Sequence, residues 1–117
     1  MWMIKTTERF DRWFTSLNDS DRTCVLAALM VLREKGPGLS RPHVDTIKGS
    51  AYINMKELRI QSGGDPIRAF FAFDPNRTAI VLCAGNKVGN EKRFYREMFP
   101  VADWEFTHWL KSFNHKE

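Results

Sequence analysis

Apolar residues follow two different spacings along the chain, and the switch between them divides it. Phe10, Trp13, Phe14 and Leu17 recur at helical intervals, and Val25, Ala28, Leu29 and Leu32 repeat the pattern, so each segment has one stripe to bury. Thr6 or Thr7 can cap the first helix. Asn18-Asp19-Ser20-Asp21 breaks it and caps the second, which stops where Arg33 and Lys35 precede Gly36 and Pro37. Cations in the last turn, a left-handed cap and a residue that cannot continue the helix make a strong stop signal. The two helices are expected to form an antiparallel hairpin, preceded by an edge strand within residues 1–6.

Residues 39–53 show no period and read as a long loop, unusual enough in a small domain to suggest function. Three strand-like runs follow at 54–61, 67–73 and 78–87, separated by the turn sequences "SGGDP" and "DPNR". Helical spacing returns after residue 89, with Phe106, Trp109, Leu110 and Phe113 on one stripe. Helices covering one face of a small antiparallel sheet fit this order, an α+β fold. A length of 117 residues suits one domain, 1–117, because a second would have too little core to stand alone.

Composition then narrows the class. With 43% hydrophobic and 27% charged residues, the chain is a globular protein rather than a disordered or fibrous one. Its net charge of +4 is unevenly placed: residues 48–96 hold nine Lys or Arg against four acids. A focused positive field favours polyanions such as nucleic acid. Cys24 and Cys83 form no CxxC pair and read as reduced, buried thiols. His43, His108 and His115 have no metal-site spacing, so neither metal nor cofactor is expected. No signal-type segment opens the chain and no apolar run approaches the ~20 residues of a membrane span. A cytoplasmic protein without a membrane partner is the expectation.

Side chains alternate across a strand, so parity sorts the charges. Leu58 and Ile60 share one face of the first run, with Lys56, while Glu57, Arg59 and Gln61 point the other way. In the second run Ile67, Ala69, Phe71 and Phe73 oppose Arg68, Phe70 and Ala72. A turn over Gly63 to Pro66 sets Gln61 opposite Arg68 and Arg59 opposite Phe70, with both arginines on one face at diagonal distance. Closing "DPNR" pairs Phe71 with Ile80 and Ala69 with Leu82, and gives Val81, Cys83, Gly85 and Lys87 to the arginine face. Three cations, Arg59, Arg68 and Lys87, then converge on the face away from the helices. Arg59 can pair with Glu57 or Asp65 as a surface ion pair; gathered with the other cations, it suits a phosphate.

Taken together, "KELR", "R.FFAFDP" and "GNK...FY", with "FDRWFTSLNDSDR" and "EKGPGLSRPHVDTIKGS" upstream, resemble the HigB-like branch of the RelE/ParE toxin superfamily of bacterial type II toxin-antitoxin modules. The resemblance implies a β-α-α-β-β-β-α order and a ribosome-dependent endoribonuclease, an mRNA interferase, acting on translated mRNA. It also implies neutralisation by a cognate antitoxin, commonly with a helix-turn-helix, through which the complex reaches its operator DNA. By position in the family pattern, Arg68 matches the arginine at the scissile phosphate, and Lys87 falls in the basic segment after the last strand. Tyr95 matches a tyrosine that stacks on a base or assists proton transfer, and Arg59 fits a phosphate clamp. Lys92 and Arg93 are candidates for RNA backbone contacts, His43 for a loop histidine reaching the cleft, and Lys56 for RNA contact after a small slip in register. Two other readings stay open: a ParE-like inhibitor of DNA gyrase, and a non-catalytic member that only binds nucleic acid or antitoxin.

Overall fold

The computed structural model describes residues 1–114, with side chains to Ser112. Phe113, placed on the C-terminal stripe by its spacing, and His115 fall outside the described side chains. The elements are β1 (Met3–Thr6), α1 (Glu8–Thr15), α2 (Asp19–Lys35), a single 3-10 turn at Gly36–Gly38, β2 (Val44–Thr46), β3 (Lys56–Ser62), β4 (Asp65–Phe73), β5 (Thr78–Asn86) and α3 (Glu91–Asn114). The helix ends form as their chemistry predicts. Thr7 accepts the Phe10 N–H at 3.1 Å and Asn18 accepts the Asp21 N–H at 2.8 Å, each satisfying a donor that the first turn leaves open. Gly36 closes α2 with φ +54°, and a Cβ there would lie 2.3 Å from the Trp2 ring.

One sheet runs through the molecule in the order β1-β5-β4-β3-β2. Strands β2 to β5 pair antiparallel, as expected, whereas β1 joins β5 in parallel. The expected order gains one strand, because β2 forms inside the segment that reads as loop. Its three residues are too few for a period to show.

The helices do not share a face. Phe10, Val25, Leu29 and Leu32 of α1 and α2 pack on Leu58, Ile60, Ala69, Phe71 and Val81. On the other side Ala102 and Phe106 of α3 pack on Phe70, Ala72, Ile80, Leu82 and Cys83. β4 and β5 are therefore covered on both faces, which is why "AFFAF" and "AIVLCA" are unbroken apolar runs.

Two corrections of register place the charges. Gly63 and Gly64 both have positive φ, 58° and 88°, and make a two-residue hairpin loop. Ser62 then pairs with Asp65 and Arg59 with Arg68 directly. Relative to the expected pairing this is a shift of two, so both arginines keep one face. In the next hairpin Arg77 adopts φ 60° and the pairing slips by one, so Phe71 meets Val81 and Ala72 meets Ile80. A bulge between Phe70 and Phe71 slips it again, so Phe70 meets Cys83 and Arg68 meets Gly85. The second slip restores the parity that the first reversed. Cys83 and Gly85 lie on the arginine face as expected; Val81 does not.

Candidate active site

The arginine face is the face that α3 crosses, not an uncovered one. Gly85 lies beside Arg68 in the ladder, and a Cβ on it would come within 2.9 Å of the Phe94 ring. The first turns of α3 thus close over this end of the sheet.

The centre of the arrangement is a carboxylate. Glu57 is only 4% exposed, and its Oε2 accepts from Arg59 Nε at 3.1 Å while its Oε1 accepts from the Tyr95 hydroxyl at 2.8 Å. Arg68 Nε stands 4.0 Å from the same Oε1, too far for a hydrogen bond, and has no other partner. Arg68 Nη1 donates to the carbonyl of Ile67 at 3.0 Å. Arg68 is buried, whereas the Arg59 side chain is 35% exposed.

Arg59 opens into a cleft of about 260 Å³ lined by Arg41, Asp45, Lys48, Glu57, Glu91, Tyr95 and Phe99. Asp45 bridges two cations at its rim, accepting from Arg41 Nε and Arg59 Nη2 at 3.1 Å each. The Arg41 hydrogen bond, with help from the Thr46 N–H and the Arg59 charge, holds the Asp45 carboxyl below its usual range. Burial, and then the neighbouring Glu57 carboxylate, push the Tyr95 phenol up to about 12. Tyr95 is consequently a neutral phenol at physiological pH, with Arg68 close enough to oppose that shift in part.

Lys87 joins the group from the end of β5. Its ammonium lies 5.5 Å from the centre of the Tyr95 ring, within cation–π range, and 3.3 Å from Glu91. Arg59, Arg68, Lys87 and Tyr95 are therefore brought together. The other sequence candidates are not part of that cluster. Lys56 lies on the opposite face and donates to Thr46 Oγ1 at 2.9 Å. His43 borders a separate apolar hollow with Val31, Leu39 and Leu58, which it shares with Arg59. Lys92 is exposed in the first turn of α3, and Arg93 pairs with Glu97 at 3.0 Å.

The loop that supplies Lys48 to the cleft is tied down from the middle of α3. Asp103 accepts from the Ser50 hydroxyl and from the Ala51 N–H, and Tyr52 reaches Thr107. Sequence reasoning missed Glu57, Asp45 and Lys48 as members of the site. For Glu57 the signal was present: an acid two residues from Arg59 on a strand shares its face. Among the described residues, no group of three or more His, Cys, Asp or Glu is arranged to hold a metal, and no helix is long and apolar enough to cross a membrane.

Comparison with known proteins identifies the family and the fold. Residues 12–107 match the family of phage-derived Gp49-like proteins. Two Mycobacterium tuberculosis proteins bearing toxin names are each 46% identical to the chain. HigB3 is aligned over 87% of this chain and 88% of its own length, and HigB2 over 91% of this chain but only 53% of its own. Among solved structures, a double-mutant Escherichia coli toxin RelE in the free state superposes with a TM-score of 0.55 at 13% identity, over 77% of this chain and 87% of that one. The intact E. coli RelBE toxin-antitoxin complex gives 0.54 at 13% identity, over 73% of this chain and 95% of that one. The chain belongs to the Gp49-like family, is a HigB-like toxin by its 46% identity to HigB3, and has a RelE-like fold.

Proposed function

We propose that this toxin is an endoribonuclease that cleaves translated mRNA at the Glu57 cleft and so arrests growth. The observation that carries the reading is an open groove lined by Arg59 and Tyr95, with Arg68 buried directly opposite Arg59 in the ladder, in a chain whose middle is basic. Cleavage of RNA needs no external nucleophile, because the ribose 2′-hydroxyl attacks the adjacent phosphorus. The 2′-oxygen forms its bond as the bond to the 5′-oxygen breaks. The hydroxyl proton passes to solvent and the departing 5′-oxygen takes one from solvent or from Lys87, leaving a 2′,3′-cyclic phosphate and a 5′-hydroxyl. The protein's tasks are to orient the hydroxyl and to stabilise the negative charge that builds on the phosphate's non-bridging oxygens. Arg59 and Arg68 suit the second task because guanidinium stays charged throughout, and Tyr95 suits the first. This chemistry is metal-independent.

The same reading includes partners. A cognate antitoxin covers the toxin, a reading supported by the likeness to the RelBE toxin-antitoxin complex; in the same proposal the antitoxin commonly carries a helix-turn-helix that takes the complex to operator DNA. The ribosome presents the mRNA, and the site of action is the cytoplasm. The test is to express the chain and map transcript 5′ ends. Cuts in phase with codons in translated mRNA, insensitive to EDTA in a purified translation mixture, are the expected result. Intact mRNA together with a DNA-damage response would replace this reading by gyrase inhibition; neither outcome would point to a non-catalytic member.

A further inference from the structure

We propose that Glu57 is a positioning residue for this cleavage: by accepting the hydrogen bond of the Tyr95 hydroxyl it turns that oxygen's lone pairs toward the cleft, where they accept the ribose 2′-hydroxyl. The inference rests on the nuclease reading and adds to it a residue that none of the sequence motifs assigned.

Three observations carry it. The first is direction. A carboxylate can only accept, so the 2.8 Å contact commits the Tyr95 hydroxyl proton to Glu57 Oε1. Tyr95 lines the open groove, and with its proton held in the hydrogen bond to Glu57 its oxygen is left to meet a ligand as an acceptor. The second is permanence. Glu57 is buried at the root of the groove and is anchored a second time through Oε2 by Arg59, so it cannot rotate into solvent and release the phenol. The third is the state of Arg68. Its Nε is buried and unmatched, 4.0 Å from Oε1, so one oxygen of Glu57 faces both the tyrosine and a free donor. A buried donor without an acceptor is uncommon.

The groups around the phenol are Glu57 and Arg59 from β3, Arg68 from β4, Lys87 after β5 and Glu91 from α3, with Phe70, Phe94 and Phe99 as apolar walls. Glu57 accepts the hydroxyl's hydrogen bond at 2.8 Å, and Arg68 is near enough to donate toward the phenol oxygen and partly oppose the effect of Glu57. The phenol stays protonated far above neutral pH, so it orients the 2′-hydroxyl and does not abstract its proton. Replacing the carboxylate by an amide, whose NH2 can face the phenol as a donor, no longer commits the phenolic proton to the protein side; pointed into the groove, that proton opposes the nucleophile's own.

The experiment uses the full chain with ribosomes programmed with a defined mRNA, and the variants Glu57→Gln, Tyr95→Phe and the double. Each single change is expected to lower kcat by about 10²-fold with KM little changed, the scale of a misaligned reacting group. The double should lose no more than either single, because both changes remove one interaction. Independently of substrate, 13C-labelled tyrosine should report the Tyr95 phenol titrating lower in Glu57→Gln than in the wild type. Wild-type kcat in Glu57→Gln, losses that multiply in the double, or an unmoved Tyr95 titration would overturn the proposal. If Glu57→Gln does not fold, Glu57→Asp, which keeps the charge on a shorter arm, should still lower kcat and displace the titration. Lack of both effects would again overturn it. Failure of the wild type to cleave any ribosome-bound RNA is a failure of the nuclease reading instead, and the titration still decides whether Glu57 controls the phenol.

Discussion

Arg59 and Arg68 stand directly opposite one another across β3 and β4, and Glu57 is the carboxylate that lies between them. Like charges opposed in a ladder destabilise it, so the pair persists because a buried acid offsets it. Glu57→Ala should therefore lower the unfolding free energy by about 3 kcal/mol, the scale for stripping one member from a buried ion cluster. Adding Arg68→Met should restore a good part of that loss. Urea unfolding of the three variants checks both statements.

Arg68→Ala should abolish growth inhibition while antitoxin capture is retained. Because Arg68 is 9% exposed, the change also leaves a gap under α3, worth about 1–3 kcal/mol of stability. Plating efficiency, antitoxin pull-down and a thermal melt separate loss of function from loss of fold. Undiminished toxicity would remove Arg68 from the site.

Asp45 occupies the two cations at the groove's rim, and under the proposed function it would compete with an RNA phosphate for them. Asp45→Asn frees Arg41 and Arg59 and should tighten binding of a single-stranded RNA about two- to fivefold, the range for an exposed ion pair. The dependence of affinity on salt should steepen too, since more phosphate charge is neutralised. Fluorescence anisotropy with a 2′-deoxy-substituted oligonucleotide measures both without cleavage.

Stability should fall at alkaline pH partly through Tyr95. Its phenol has an ordinary value of 10 and is raised to about 12 in the fold, by burial first and then by Glu57. Below about pH 10 both folded and unfolded chains hold the proton; between about 10 and 12 only the folded chain does. The unfolded state then binds fewer protons, so stability drops as pH rises through that window. The fall in urea midpoint across the window should be smaller in Tyr95→Phe than in the wild type.

Gly36→Ala places a methyl inside the Trp2 ring at a backbone angle that side chains avoid. A cost of about 1–3 kcal/mol follows from the backbone conformation alone, and a lower melting temperature with unchanged RNA affinity is the expected pattern.

Much of this was readable from residue types. The stripes through Phe10 and Val25, the caps at Thr7 and Asn18 and the stop at Gly36 are local, and they formed as expected. The common face of Arg59 and Arg68 was also readable, because an error of two residues in register leaves parity intact. The bulge opposite Phe70 and Phe71 was not, since Leu82 and Cys83 are both apolar and either face accepts them. The side taken by α3 was equally hidden: β4 and β5 offer apolar surface on both faces, and no local rule chooses between them. Glu57 was visible but was weighed as a surface ion-pair partner, because depth cannot be read from a strand's alternation.

The groove is built from parts made at different times. Both arginines and Glu57 sit in adjacent strands, whereas Tyr95 and the Asp103 tether of the Lys48 loop belong to α3. Synthesis runs from the N-terminus, so a nascent chain whose α3 is still inside the ribosome carries the charges without the tyrosine or the anchored rim. If the proposed cleavage takes place in this groove, the message that encodes the chain is out of its reach until translation has passed that helix.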